Sequence, residues 1–110
     1  MTAEEFREMA LGIPHACESA HVGHPDFRVG GKIFASLGAP DENWGMVKLT
    51  PEEQRTFMAK APSVFTPCNG AWGRRGYTNV RLASATKTVL RPALEAAAKN
   101  VGTRMKKRAT

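Results

Sequence analysis

The sequence predicts a single domain of the α+β class, with three helices and an antiparallel sheet of about five short strands. A capped amphipathic helix begins the chain, and short segments rich in β-branched and aromatic residues fill residues 17–49. Helical periodicity returns near the C-terminus. A chain of 110 residues, 42% of them apolar, is long enough for one such domain and too short for two ordinary ones.

The first predicted helix covers about residues 3–12. Thr2 followed by Glu5 is a capping-box pattern, in which each side chain accepts a hydrogen bond from the other residue's backbone amide. Gly12 and Pro14 end the helix. Its apolar residues recur at helical spacing: Phe6, Met9, Ala10 and Ile13.

A β-hairpin is predicted from residues 26–29 and 32–37, joined by Gly30-Gly31. Two glycines supply the positive φ angles that a tight hairpin turn needs. The predicted pairs are Val29 with Lys32, Arg28 with Ile33, and Phe27 with Phe34. In this register Phe27, Val29 and Phe34 face the core, Lys32 lies at the tip, and Arg28 projects from the opposite face. A further strand is expected over residues 44–49.

The second predicted helix begins after Thr50. Thr50 is the N-cap, Pro51 occupies the first helical position, and Glu53 completes a second capping box. Residues 61–70 are too rich in proline and glycine for a long element, and residues 77–82 alternate as a strand.

The last predicted helix spans roughly residues 85–100. Pro92 either kinks this helix or marks a later start. An apolar stripe recurs at helical spacing and consists of Leu90, Leu94, Ala97 and Val101. A mostly basic stripe has the same spacing and consists of Lys87, Arg91, Glu95 and Lys99. We therefore predict a domain of residues 1–102 followed by a basic, flexible tail of residues 103–110.

Charge is distributed unevenly along the chain. Residues 1–55 carry five Lys/Arg and nine Asp/Glu, whereas residues 56–110 carry eleven Lys/Arg and the single acid Glu95. The net charges of the two segments are therefore −4 and +10. This asymmetry favours a surface that attracts polyanions, unless the two segments interleave in space and cancel.

The sequence gives no sign of a membrane segment or a secretory signal, because no apolar run is long enough to span a bilayer and the first residues form an acidic helical pattern. We expect a cytoplasmic protein with no membrane role. Its two cysteines, Cys17 and Cys68, lie far apart in sequence, and we expect both to be reduced in that compartment.

Two candidate sites are weak. Cys17, His21 and His24 resemble half of a metal site, but zinc needs four ligands and strand geometry points these residues in different directions. No serine or cysteine has a recognisable catalytic histidine partner. We therefore predict a non-catalytic protein that binds no metal and no cofactor. A solvated helix face explains the acidic cluster of Glu4, Glu5 and Glu8.

The segment Gly73–Gly76 places Arg74 and Arg75 at a predicted tight turn, flanked by Trp72 and Tyr77. Guanidinium groups bind phosphate oxygens in bidentate fashion, and neighbouring aromatic rings can stack on the bases of open strands. The other interpretation is an arginine-rich hairpin tip that favours solubility, with Trp72 and Tyr77 in the core. For Trp72 the core is the favoured location.

Three stretches occur in an order that resembles the MmcQ/YjbR family: GHPDFRVGGKIFASL, VKLTPEEQ and PSVFTPCNGAWGRRGYTNVRL. The resemblance covers about residues 3–100. It implies a frataxin-like (CyaY-like) α+β fold with a double-wing DNA-binding motif whose wings are β-hairpins. Carried onto this chain, the wing cations are Arg28 and Lys32 beside Gly30-Gly31, and Arg74, Arg75 and Arg81 in and after the Gly73–Gly76 turn.

We therefore predict a small, monomeric DNA-binding protein of low sequence specificity that contacts backbone phosphates through two basic wings. The expected phosphate contacts are Arg28, Lys32, Arg74, Arg75 and Arg81, with Trp72 and Tyr77 as stacking candidates. Long-range attraction is expected from Lys87, Arg91, Lys106, Lys107 and Arg108. The alternative is a protein- or small-anion-binding module that uses the Gly73–Gly76 arginine turn. A frataxin-like role in metal delivery is disfavoured by the sparse acidic residues.

Overall fold

A computed structural model of the chain describes the backbone of residues 1–21 and 23–109, and their side chains apart from those of His21 and residues 103–109. The elements in chain order are α1 (Ala3–Leu11), β1 (Ala16–His21), β2 (His24–Val29), β3 (Lys32–Leu37), β4 (Trp44–Lys48), α2 (Pro51–Lys60), β5 (Phe65–Pro67), α3 (Gly70–Arg74), β6 (Tyr77–Arg81) and α4 (Lys87–Ala109). The strands form one antiparallel sheet in the order β1-β2-β3-β4-β6-β5. The α+β class and the antiparallel sheet are confirmed.

Helices α1, α2 and α4 pack on one face of this sheet. Phe6 of α1 fills the space that a Cβ atom on Gly45 would need, and Phe57 of α2 lies 5.6 Å from Phe65 between ring centroids. Helix α4 packs along β3 and β4, and its predicted apolar stripe is buried: Leu90, Leu94, Ala97 and Val101. The apolar core therefore lies between the helices and one side of the sheet.

In the part of the chain that the structure describes, the opposite side of the sheet is less covered at its centre. Along β4 and β6, Val47 and Val80 are fully buried, whereas their neighbours Met46 and Asn79 are partly exposed. This alternation follows from the strand repeat of two, which sends successive side chains to opposite faces.

Both predicted capping boxes are confirmed. The Thr2 and Glu5 backbone amides donate to each other's side chains at 2.8 and 3.0 Å. Those of Thr50 and Glu53 do the same at 2.9 and 3.1 Å. The starts of α1 and α2 are thus set by local sequence, because each box satisfies two amide donors that the helix itself leaves unpaired.

The β2–β3 hairpin forms at Gly30-Gly31 as predicted, with Arg28 opposite Ile33 and Val29 opposite Lys32. The predicted pairing of Phe27 with Phe34 is wrong, because a β-bulge shifts the register and sets Phe27 opposite Ala35. Phe27 and Phe34 are nevertheless both fully buried, as expected.

The described residues contain more elements than the sequence predicted. Strand β1 was missed because its sequence, ACESAH, has few β-formers and lies at an exposed edge. Strand β5 has only three residues, and α3 is a five-residue helix where a tight turn was expected. The count of five strands and three helices is therefore too low.

Helix α4 starts at Lys87 and continues to Ala109, beyond the predicted end near residue 100. Pro92 lies inside the helix with an exposed side chain, where it removes one backbone donor. The domain boundary after residue 102 and the flexibility of residues 103–110 stay predictions, and Thr110 lies outside the described residues. No helix in the described part of the chain is both long and apolar enough to cross a bilayer.

Candidate nucleic-acid interface

Four cations meet at one end of the sheet. In the antiparallel order, the β2–β3 turn, the end of β4 and the start of β6 all lie at this end. They line a cavity of about 790 Å³ together with the first residues of α2 and with Asn100 and Val101 of α4. We call its positive residues the cationic end: Arg28, Lys32, Lys48 and Arg75. Side chains from both predicted wings therefore reach a single cavity.

Arg28 is the least available of these cations. Its Nε donates to Oδ1 of Asp26 at 2.8 Å and its Nη2 to Oδ2 at 3.1 Å. Asp26 is only 1% exposed, and its hydrogen bonds raise the pKa of Arg28. Because a buried carboxylate already balances its charge, Arg28 contributes less attraction for phosphate than its position suggests.

Lys32, Lys48 and Arg75 carry no such balance, since none of them forms an ion pair within the described part of the chain. Lys32 is half-buried near the hairpin tip, as predicted. Lys48 was not predicted as a site residue, and its Nζ lies 5.0 Å from the centroid of the Tyr77 ring. Trp44, Met46 and Lys48 alternate along β4, and this alternation is the sequence signal that would have placed Lys48 on the same face of the sheet as Trp44.

Aromatic rings lie beside these cations. Trp72 stacks on Tyr77 with centroids 5.1 Å apart and an interplanar angle of 29°, and the Arg75 guanidinium lies 5.4 Å from the Trp72 centroid. Trp72 is 55% exposed, so its favoured assignment to the core is wrong. The predicted stacking candidates Trp72 and Tyr77 thus form one cluster at the cationic end.

Arg81 lies at the other end of β6. Its guanidinium is 4.5 Å from the centroid of Trp44, its cross-strand partner on β4. Arg81 is the fourth residue after Tyr77, which corresponds to a distance of about 13 Å along a strand. Arg81 therefore does not line the cavity but lies farther along the same exposed side of the sheet.

The Gly73–Gly76 segment is not a hairpin tip. Arg74 ends α3 and is exposed. The Arg75 amide donates to carbonyls of the preceding helical turn, and the Gly76 amide donates to the carbonyl of Gly73. Strands β5 and β6 do pair, but a short helix connects them. The predicted tight turn is therefore wrong, and the engaged amides disfavour the alternative in which this backbone binds an anion.

Gln54 fixes this connection from α2. Its buried side-chain nitrogen donates to acceptors in and after α3: the carbonyls of Gly73 and Tyr77 and the Oγ1 of Thr78, each at 3.1 Å. The VKLTPEEQ stretch contains this residue, but nothing in the local pattern indicates its partners.

Two predicted cations lie elsewhere. Lys87 and Arg91 line a groove of about 670 Å³ between α1 and α4, together with Glu5, Glu8 and Glu95. They do not join the cationic end, and their groove also holds Lys99 and three acidic side chains. The predicted contacts Lys106, Lys107 and Arg108 have side chains outside the described residues, although the α4 backbone that carries them continues from the cationic end.

The remaining candidate groups form no reactive cluster. Cys17 is exposed and Cys68 is half-buried, and both are free thiols. The Cys68 thiol donates to Oδ1 of Asn79 at 3.2 Å, and burial raises its pKa to about 11. Among the described residues, no three His, Cys, Asp or Glu side chains are grouped so as to hold a metal ion.

Comparisons with known proteins agree with the motif order. A family model described as YjbR matches residues 11–97, and no curated protein matches significantly. The fold is similar to the crystal structure of Deinococcus radiodurans protein DR2400, which is described with the family-model domain DUF419. The TM-score is 0.76 at 17% sequence identity, and the match covers 94% of this chain and 80% of that chain. The chain therefore belongs to the YjbR family.

Proposed function

We propose that this protein binds DNA through backbone phosphates at the cationic end, without catalysing a reaction. The observation that carries the proposal is the single cavity shared by Lys32, Lys48 and Arg75, which come from three separate segments. Unpaired cations close together on one surface attract a polyanion more strongly than the same charges spread over the molecule. Phosphate contacts fix the position of a nucleic acid without reading its sequence, so specificity should be low.

The contact set differs from the one expected from the sequence. Lys48 joins it, and Arg74 stays in it because it is exposed next to Arg75. Arg81 leaves it because it lies at the other end of β6. Lys87 and Arg91, from which long-range attraction was expected, face the glutamates of α1 across another groove. The additional contacts of the basic tail, the monomeric state and the cytoplasmic location remain predictions.

Salt dependence gives the proposal a magnitude. With Lys32, Lys48, Arg74 and Arg75 as the phosphate contacts, the slope of log affinity against log salt is about −3.6 for duplex DNA. Raising the salt from 50 to 200 mM should then weaken binding roughly 100-fold. Arg28 is left out of this estimate because Asp26 balances its charge.

The test is a titration of fluorescently labelled duplex, followed by anisotropy at both salt concentrations. Replacing Lys32 and Lys48 together by alanine should weaken binding and reduce the slope by about 1.8. Replacing Lys87 and Arg91 together is the matched control, since it removes the same charge from the other groove. Absent binding, binding unaffected by salt, or an equal loss in the control would overturn the proposal.

Competition between duplexes tests the low sequence specificity. Excess unlabelled duplex of unrelated sequence should displace the labelled duplex, because phosphate contacts carry little sequence information. If the unrelated duplex fails to compete, low-specificity DNA binding is contradicted.

A further inference from the structure

We infer that the uncovered side of β4 and β6 binds a single strand of nucleic acid by stacking unpaired bases on its aromatic rings. We call this surface the open face: the outward side chains of Trp44, Met46, Lys48, Tyr77, Asn79 and Arg81, with Trp72 at one end. The inference rests on the proposed function, because phosphates must still be held at the cationic end. Beyond that function, we expect a single strand to bind more tightly than a duplex.

The exposure of Trp72 is the first argument. It is the large hydrophobic side chain that stays exposed in the described part of the chain, at 55%, while the phenylalanines of the core are fully buried. An exposed large aromatic side chain is informative, since it forgoes the stability that burial would give. Its stack on Tyr77 holds the indole in place without covering it.

The pairing of rings with cations is the second argument. Each aromatic ring of the open face has a positive group near its centroid: Arg81 at 4.5 Å from Trp44, Lys48 at 5.0 Å from Tyr77, and Arg75 at 5.4 Å from Trp72. A single strand presents bases and phosphates alternately, and single-strand-binding proteins combine stacking rings with nearby cations for this reason. The open face offers both groups along about 13 Å of sheet.

The partial exposure of this side at its centre is the third argument. The helical layer packs on the opposite side, and Met46 and Asn79, which lie between the two ring clusters, are partly exposed. A strand can therefore lie flat from Trp44 to Tyr77. In duplex DNA the flat faces of the bases stack on one another, so the rings could act only on unpaired bases.

Intrinsic fluorescence tests the inference directly, because Trp44 and Trp72 are the two tryptophans of the chain. We would titrate the full protein with a mixed-sequence single strand of about 12 nucleotides and with the duplex of the same sequence. The inference predicts tighter binding of the single strand together with quenching of tryptophan emission. The Trp44→Phe protein leaves Trp72 as the only reporter, and its emission should also be quenched.

Substitutions then separate stacking from charge. Trp72→Ala should weaken single-strand binding about 5-fold to 100-fold, since one base–ring contact is lost. Duplex binding should weaken much less, because Arg75 loses the ring beside it but keeps its charge. Trp72→Phe, which keeps a ring, should restore most of the affinity. A circular dichroism spectrum and melting temperature like those of the unsubstituted protein show that the variant is folded.

The outcomes distinguish this inference from the proposed function. Salt-sensitive duplex binding, with no preference for the single strand and no quenching, overturns the inference and leaves the proposed function standing. Equal losses for both nucleic acids in Trp72→Ala also overturn it. If neither nucleic acid binds at 50 mM salt, the proposed function fails and the inference fails with it.

Discussion

Replacing Gln54 by leucine tests whether α2 holds the aromatic end of the open face in place. Gln54 is buried, and its one side-chain nitrogen reaches three acceptors at 3.1 Å. These acceptors belong to the end of α3 and the start of β6, which carry Trp72, Arg75 and Tyr77. Gln54→Leu keeps a side chain of similar size and a good helix former, but removes both N–H donors.

The expected cost follows from the hydrogen bonds lost. A side-chain amide has two N–H groups, so two strong bonds disappear, each worth roughly 0.5–1.5 kcal/mol net. The carbonyls of Gly73 and Tyr77 keep one donor each, the amides of Gly76 and Cys68. Because these acceptors are not left unpaired, we expect the free energy of unfolding to fall by about 1–3 kcal/mol. The melting temperature should fall by roughly 4–8 °C per kcal/mol for a domain of this size.

Chemical and thermal unfolding followed by circular dichroism would measure this change. Arg55→Leu is the matched control, since Arg55 is the next residue of α2 and is exposed. Its effect should stay within about 0.5 kcal/mol. The reasoning is refuted if Gln54→Leu costs less than about 0.5 kcal/mol, or if the control costs as much.

The remaining predictions concern two glycines and the two cysteines. Gly76→Ala should cost at least about 2 kcal/mol, because Gly76 has a φ of +106° and a Cβ there would overlap the carbonyl oxygen of Leu49. Gly102→Ala lies at an open helical position and should leave the free energy of unfolding unchanged or raise it by up to about 1 kcal/mol. If urea unfolding shows equal losses of stability for the two glycine variants, the steric explanation for Gly76 is wrong. The pKa of Cys68 is raised to about 11, so its reactive thiolate forms only in strongly alkaline solution. At about pH 8 iodoacetamide should therefore alkylate the exposed Cys17 first, and equal labelling of both cysteines by mass spectrometry would contradict this expectation.

Local rules predicted the elements whose cause is local. The capping boxes at Thr2 and Thr50 set the starts of α1 and α2, and Gly30-Gly31 set the β2–β3 turn. These features depend on residues within about four positions of each other, which a sequence displays directly. The buried stripe of α4 was predictable for the same reason, since its period is that of one helix.

Features set by distant contacts could not be predicted in this way. The bulge at Phe34 sets Phe27 opposite Ala35 while both phenylalanines stay buried. The predicted register, with Phe27 opposite Phe34, has the same local sequence, so only packing in the core decides between the two registers. Helix α3 exists although three glycines lie within residues 70–76, because Gln54 and the pairing of β5 with β6 hold the segment from outside. Trp72 was assigned to the core from its size alone, and the ring that receives it, Tyr77, lies on an uncovered face.

The charge asymmetry of the sequence does not become an asymmetry between two ends of the molecule. Lys87 and Arg91, from the basic half, lie across a groove from Glu5 and Glu8 of the acidic half. The pKa of Glu5 is lowered mainly by the hydrogen bond from the Thr2 amide, and the positive charge of Lys87 lowers it further.

Conversely, Lys32 and Lys48 come from the acidic half and join Arg75 at the cationic end. The sequence therefore favoured two cations of α4 whose groove also holds three acidic side chains, and it did not indicate Lys48. A bound polyanion responds to the field of a surface, and in an antiparallel sheet that surface is assembled from strand ends distant in sequence. Since Lys32, Lys48 and Arg75 lie at such strand ends without acidic partners in the described part of the chain, their removal, rather than that of an equal number of charges on α4, should decide whether DNA binds.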